Sequence, residues 1–118
     1  MRRSAAVLVI AAVIALGTAQ IAAAVVQSHI SIAFNHTTER FHGRVTSSNS
    51  ECQAHRTVRL FKKTATGRSL QGKTKTGPKG GWSIEVMHAH GHYFAVTPQQ
   101  TIMNVACGRA RSATIDVM

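Results

Sequence analysis

The chain has 118 residues, enough for one domain at most, and its 14 basic and four acidic residues give a formal net charge of +10. This basic excess favours anionic partners such as nucleic acid, acidic polysaccharide, teichoic acid or anionic lipid, with solubility alone as the alternative reason for it. Four acids leave little for acid–base catalysis, and the chain has no Gly-x-Ser-x-Gly or His-Glu-x-x-His pattern, so we expect no enzyme activity.

Residues 1–24 have the three parts of a secretory signal peptide. Met1-Arg2-Arg3 is positively charged, residues 5–16 form an uncharged apolar run, and Ala22-Ala23-Ala24 supplies the small residues that a signal peptidase requires. We expect cleavage after the last of these alanines, with cleavage after Ala19 or an uncleaved membrane anchor as alternatives. Cleavage there leaves 94 residues, 12 of them basic and four acidic, with a net charge of +8 and no membrane span.

The rest of the chain contains short stretches in which apolar and polar residues alternate, the pattern of a half-buried strand. Seven strands are predicted, at residues 28–34, 41–47, 56–62, 70–76, 82–86, 93–96 and 111–117. The connections between them are predicted as a turn at 64–67, a tight Gly- and Pro-containing link at 77–81 and an irregular segment at 98–104. The fifth and sixth strands are expected to pair with each other as a hairpin.

Seven short strands predict an all-β fold, a single and approximately seven-stranded antiparallel β-sandwich of the transthyretin or immunoglobulin type, at residues 25–118 after an N-terminal signal helix. Alternation assigns the apolar side chains of these strands to the interior. The residues expected in the core are Trp82, Ile84, Val86, Val58, Leu60 and Ile115.

The two cysteines, Cys52 and Cys107, both lie in the part of the chain that we expect to be exported. An even number of cysteines outside the reducing cytosol predicts one disulfide, and two free thiols are the alternative. The bond would close a loop of just over fifty residues, which the chain-entropy model values at roughly 4 kcal/mol.

Many basic side chains are expected on the outer faces of the strands, because they alternate with apolar residues. The candidates for binding an anion are Arg44, Arg59, Lys62, Lys63, Lys73 and Lys75. Whether they form one patch depends on the strand order, which alternation alone does not give. Phe61 and Tyr93 are the only aromatic residues placed to stack on bases, as a nucleic-acid module would require.

The run His88-Ala89-His90-Gly91-His92 is the candidate metal site. Residues two apart share a face of an extended chain, so His88, His90 and His92 could align, and neutral imidazole suits zinc, copper or nickel. The alternative is an exposed loop whose histidines gain charge as the pH falls through about 6–7. No cofactor is predicted.

Residues 67–74 match the phosphate-binding pattern G-x-x-x-x-G-K-[ST]. The chemistry also needs a helix that begins at the lysine, so that its N-terminus faces the phosphates. Gly77 and Pro78 follow too closely for such a helix. We therefore expect a chance match, with Lys73 on a strand and in contact with solvent.

Turn glycines and expected core residues form a series of short motifs along the chain: Phe41-x-Gly-x-Val45, Cys52, Arg56-x-Val-x-Leu60, Thr76-Gly-x-x-Gly80-x-Trp82, Gly91-x-Tyr93-x-Ala95, Cys107 and Ser112-x-x-Ile115. This set, over about residues 41–117, resembles small secreted bacterial proteins related to carboxypeptidase regulatory-like and collagen-adhesin B-type domains. The resemblance implies a transthyretin-like β-sandwich with a structural, adhesive or accessory role.

The sequence thus predicts a secreted, non-enzymatic module of the extracellular space or cell envelope, with a structural or surface-binding role. Its partner is expected to be an anionic cell-envelope polymer or another extracellular protein, and no small-molecule substrate is expected. The alternatives are a cationic binder of anionic polymer or nucleic acid, and a weak His-dependent metal binder.

Overall fold

The computed structural model describes residues 24–118, which form two facing antiparallel sheets and a separate two-stranded sheet. The predicted all-β sandwich is confirmed for this part, and all but the last residue of the predicted signal peptide lie outside it. In chain order the strands are β1 (Ser28–Ile30), β2 (Ala33–Asn35), β3 (Arg40–Ser47), β4 (Thr57–Thr64), β5 (Gly67–Lys75), β6 (Gly81–Glu85), β7 (Gly91–Thr97), β8 (Gln100–Ile102), β9 (Val105–Cys107), β10 (Ala110–Arg111) and β11 (Ile115–Val117). A short 3₁₀ helix, Ser50–Cys52, precedes β4.

The first sheet has β3 at its centre, with β1 and β2 on one side and β6 on the other. The predicted first strand is found as two pieces that keep the same register against β3, with Ser28 opposite Ser47 and Ala33 opposite His42. The break between them lies beside Gly43, where a Cβ atom would overlap the carbonyl of Ser31. Glycine is required there because the two backbones approach so closely.

The second sheet has the order β5–β4–β7, and both β10 and β11 pair with the free side of β7. The turn predicted at 64–67 is confirmed as the β4–β5 hairpin, although β5 begins three residues earlier than expected. The pairing shifts by one residue between Leu60 and Phe61, so that Gln71 is extra and Leu70 lies opposite Phe61. This bulge decides which side chains of β5 share a face with those of β4.

The hairpin predicted between the fifth and sixth strands is wrong. β6 pairs with β3 in the first sheet and β7 pairs with β4 in the second, so residues 86–90 cross from one sheet to the other. Alternation reports which face of a strand is buried but not which strand lies beside it. The unbroken buried run of β7 was a better indication of its position, because a strand that is covered on both faces belongs in the middle of a sheet.

The segment 98–104, predicted as irregular, contains β8 and the start of a β8–β9 hairpin. Met103 and Asn104 form its two-residue loop with φ angles of 51° and 67°. Positive φ at both loop positions is the geometry of a type I′ turn, whose usual residues are Asn-Gly. The sequence did not reveal this turn because a methionine stands at its first position.

The core lies between the sheets and contains most of the residues expected there. Trp82, Ile84, Val58 and Leu60 are buried, together with Phe41, Val45, Tyr93 and Ala95. Val86 and Ile115 are only partly buried against this core, a correction to the prediction. Val86 follows the last residue of β6, and Ile115 lies on β11, which has a neighbour on one side only.

Tyr93 fixes the crossing between the sheets. Its hydroxyl donates to the carbonyl oxygen of His90 at 3.1 Å and accepts from the amide of the same residue at 3.2 Å. Tyr93 lies near the start of β7. Immunoglobulin-like sandwiches also have a tyrosine near the start of a strand whose hydroxyl hydrogen-bonds to the backbone of the preceding corner, an arrangement called the tyrosine corner.

The predicted Cys52–Cys107 disulfide is confirmed. It joins the 3₁₀ helix to β9, with 5.4 Å between the Cα atoms, and both cysteines are fully buried. A buried disulfide is typical of proteins that fold in an oxidising compartment. Within residues 24–118, no helix has the length and apolar character that crossing a membrane requires.

Arg56, at the same end of the sandwich, is fully buried, although its charge favours an exposed position. All five of its N–H groups have acceptors: Nε donates to Gln100 Oε1, Nη1 to Ser28 Oγ and Cys52 O, and Nη2 to Pro98 O and Gly108 O, at 2.7–3.2 Å. Burial lowers the pKa of Arg56, since every acceptor is neutral. The guanidinium therefore connects the N-terminal strand to both disulfide-linked segments.

Candidate binding face

The outer face of the second sheet is built by alternation along β4. Val58 and Leu60 face the core, so Arg59, Phe61 and Lys63 face outward. The register adds the partners of these three residues on β5, which are Lys73, Leu70 and Arg68 in the same order. Lys75 lies two residues beyond Lys73, on the same face.

On the other side of β4, the same face continues onto β7 and β10. Phe94 lies opposite Phe61, and Val96 lies between Arg59 on β4 and Arg111 on β10. Phe94 and Val96 are only 2% and 4% exposed, although they point away from the core. Side chains on this outer face therefore cover them, and long basic side chains do this by laying their aliphatic parts over apolar neighbours.

Four side chains form a continuous stack across β5, β4, β7 and β10, which we call the arginine–phenylalanine row. The guanidinium of Arg68 lies 4.1 Å from the ring centroid of Phe61, and that of Arg111 lies 3.9 Å from the centroid of Phe94. The two rings stack on each other with 5.6 Å between centroids and 25° between planes. Each cation–π contact of this kind is worth about 0.5–1 kcal/mol where solvent reaches it.

The face carries a strong positive charge. We define the basic face by its six cationic residues: Arg59, Lys63, Arg68, Lys73, Lys75 and Arg111. Asp116, paired with His92 in the β7–β11 ladder, lies on this face, and its carboxylate is 3.8 Å from the imidazole. Between residues 24 and 118, no lysine or arginine lies within 4.0 Å of a carboxylate oxygen. The six cations therefore have no contact ion pair in the described structure.

The six residues predicted to bind an anion do not all lie together. Arg59, Lys63, Lys73 and Lys75 are on the basic face. Arg44 is exposed on the outer face of the first sheet. Lys62 lies two residues after Leu60, on the same inward-facing side of β4, and its Nζ lies 5.9 Å from the ring centroid of Tyr93.

Arg68 and Arg111, which end the arginine–phenylalanine row, were not among the predicted anion-binding residues. Arg68 was missed because the fourth strand was expected to begin at residue 70, which put this arginine outside it. Arg111 begins the last predicted strand, and only the strand order reveals that it stands beside β7.

The structure places the three histidines of the predicted metal site in different surroundings. His88 has a φ of 57°, and its amide donates to Glu39 Oε1 at 2.8 Å. His90 takes part in the tyrosine corner through its backbone, and His92 pairs with Asp116. In residues 24–118, no three His, Cys, Asp or Glu side chains form a group suited to a metal ion. Metal binding at His88, His90 and His92 stays a prediction that needs a rearranged loop.

The segment that matches the phosphate-binding pattern is the edge strand β5, with Lys73 exposed on it. The segment that follows, 76–80, is a connection to β6 and contains no helix. The geometry that would hold nucleotide phosphates on a helix N-terminus is therefore missing from this segment, as expected.

Comparisons of the chain with models of protein families, with curated proteins and with solved structures found no match. A fold of this kind hosts many functions, so the basic face is the basis for a proposal about function.

Proposed function

We propose that this chain is an exported, non-catalytic β-sandwich module that binds an anionic polymer of the cell envelope or its surroundings through the basic face. The observation that carries the proposal is the gathering of six cationic side chains from β4, β5 and β10 on one sheet face, where they make no contact ion pair with any residue in 24–118. Cations without partners lose little when a polyanion approaches, because no existing ion pair has to be broken.

Export and a non-catalytic role have separate support. The apolar segment after Arg2-Arg3 resembles a signal peptide, and the Cys52–Cys107 disulfide fits an oxidising compartment. Of the four acids, Glu51 lies in the 3₁₀ helix and Asp116 on β11, and Glu39 and Glu85 come from neighbouring segments at the end of β6. The resemblance to carboxypeptidase regulatory-like and collagen-adhesin B-type domains also agrees with an adhesive or accessory role.

Binding of this type depends strongly on salt, because the polymer releases its condensed counterions when the protein neutralises its charges. For nucleic acids the slope of log affinity against log salt is about −0.7 to −0.9 per neutralised phosphate. Engagement of all six cations would thus give a slope of roughly −4 to −5 with a comparable polymer. An interaction that does not change with salt would contradict the proposal.

The Lys73→Glu substitution is expected to weaken polymer binding about fivefold or more and to make the salt slope shallower by about 1 or more. Lys73 is exposed on the edge strand β5 of the basic face, opposite Arg59. The matched control is Arg44→Glu, which makes the same change in net charge on the outer face of the first sheet. The measurement is titration of the purified proteins with a fluorescent anionic polymer at several salt concentrations. Equal losses in the two variants would mean that net charge alone drives binding and that the basic face is not the site.

A further inference from the structure

The arginine–phenylalanine row indicates which part of an anionic polymer the basic face would recognise. Phe61 lies between Arg68 and Phe94, and Phe94 lies between Phe61 and Arg111, so neither ring presents an open face at the centre of the row. Proteins that bind single-stranded nucleic acid stack bases on exposed aromatic rings. Here an arginine would have to be displaced before a base or a sugar ring could stack.

The groups left for recognition are the two guanidinium groups at the ends of the row. Within residues 24–118, the side chains of Arg68 and Arg111 donate no hydrogen bond to a protein acceptor, whereas Arg40 donates to Ser83 and Arg56 uses all five N–H groups. A guanidinium that is stacked through its plane keeps its N–H edge free for an oxyanion. Two parallel N–H groups then match two oxygens of one phosphate.

Stacking also fixes where these two groups are. The three centre-to-centre distances of the row, 4.1, 5.6 and 3.9 Å, place the guanidinium groups no more than about 14 Å apart. An arginine already held against a ring loses less conformational entropy when it binds. Lys63 lies opposite Arg68, and Arg59 lies two residues before Phe61 on the same face of β4, so further cations flank the row. A ligand that reaches both ends must be extended and must carry several anionic groups.

We propose that the row binds a linear phosphodiester polymer whose repeating unit carries neither a base nor a sugar ring, with Arg68 and Arg111 each holding one phosphate through paired N–H groups. This inference rests on the proposed function and specifies its ligand. Phosphodiester is favoured over a carboxylate polysaccharide because the aromatic surface on which sugar rings would stack is already occupied. It is favoured over nucleic acid for the same reason.

The test compares Arg68→Lys/Arg111→Lys with Arg44→Lys/Arg109→Lys, since both double variants keep the net charge and each replaces two arginines. Arg44 is exposed on the first sheet and Arg109 is exposed between β9 and β10, so neither belongs to the basic face. The probes are poly(glycerol phosphate), polygalacturonate and oligo(dT), matched in number of charges and titrated at one salt concentration. We expect the unmodified protein to bind poly(glycerol phosphate) at least about fivefold more tightly than the other two. The row variant should lose about tenfold in affinity for this polymer, and the control should lose no more than about twofold.

The outcomes separate this inference from the proposed function. If the row variant binds poly(glycerol phosphate) as tightly as the control while Lys73→Glu still weakens binding, the inference is overturned and the proposed function stands. Tighter binding of polygalacturonate or oligo(dT) also overturns it, because the ligand class is then wrong. Failure of all three polymers to bind at low salt overturns both. Circular dichroism of each variant shows whether a loss of binding reflects a loss of fold.

Discussion

The Arg56→Met protein is expected to lose about 3–5 kcal/mol of its free energy of unfolding. Methionine fills part of the space but leaves the buried acceptors of Arg56 without a donor, among them the carbonyl oxygens of Cys52, Pro98 and Gly108. Each unsatisfied buried polar group costs about 1–3 kcal/mol, and relief from burying the cation offsets part of the sum. Backbone carbonyls cannot be removed by substitution, so the loss has no simple compensation.

Urea denaturation of Arg56→Met beside Arg59→Met measures this loss with a matched control. Arg59 lies three residues later, on β4, and is only partly buried on the outer face, so its substitution should change stability by less than about 1 kcal/mol. The Arg56→Lys protein should also be destabilised, since three ammonium protons cannot serve five acceptors. A free energy of unfolding for Arg56→Met within 1 kcal/mol of that of the unmodified protein would show that the hydrogen bonds of Arg56 contribute little.

Removal of the disulfide is expected to cost about 4 kcal/mol of unfolding free energy. The bond joins residues that are 55 positions apart, and the chain-entropy model gives about this value for a loop of that length. Urea denaturation of the Cys52→Ala/Cys107→Ala protein and of the unmodified protein, both without reductant, measures this loss of unfolding free energy. Stability within 1 kcal/mol of the unmodified protein would mean that the other contacts at this end restrain the chain as well as the bond does.

The disulfide and Arg56 should not act independently. Arg56 donates to the carbonyl oxygen of Cys52 at 2.8 Å and to that of Gly108, the residue after Cys107, at 2.7 Å. Each constraint therefore positions the residues that the other needs. A protein that lacks both should lose less than the sum of the two separate losses, because neighbouring changes in one network are not additive.

Alternation predicted much of the fold because burial of one face of a strand is a local property. Val58 and Leu60 were placed correctly in this way, and the same alternation puts Arg56 on their side of β4. The inward position of Arg56 was thus present in the sequence, but its charge made a buried site unexpected. Strand partners, by contrast, are set by packing between distant segments, which is why the hairpin of β6 and β7 was wrong.

The basic face was predictable only in part for the same reason. Outward lysines and arginines can be identified along each strand, but their neighbours across the sheet cannot. Leu70 and Arg68 reach the level of Phe61 and Lys63 only because the bulge at Gln71 shifts the register. The stack of Phe61 on Phe94 joins residues from β4 and β7, which no local pattern connects.

The most direct test of the basic face is a map of amide chemical-shift changes in the ¹⁵N-labelled protein as poly(glycerol phosphate) is added at low salt. We predict that the largest changes fall on the outer face of the second sheet, at Arg59, Phe61, Arg68, Lys73 and Arg111, and that they disappear at high salt. Amides of the first sheet, such as those of His42 and Arg44, should change little. Changes centred on the first sheet, or changes that persist at high salt, would contradict binding at the basic face.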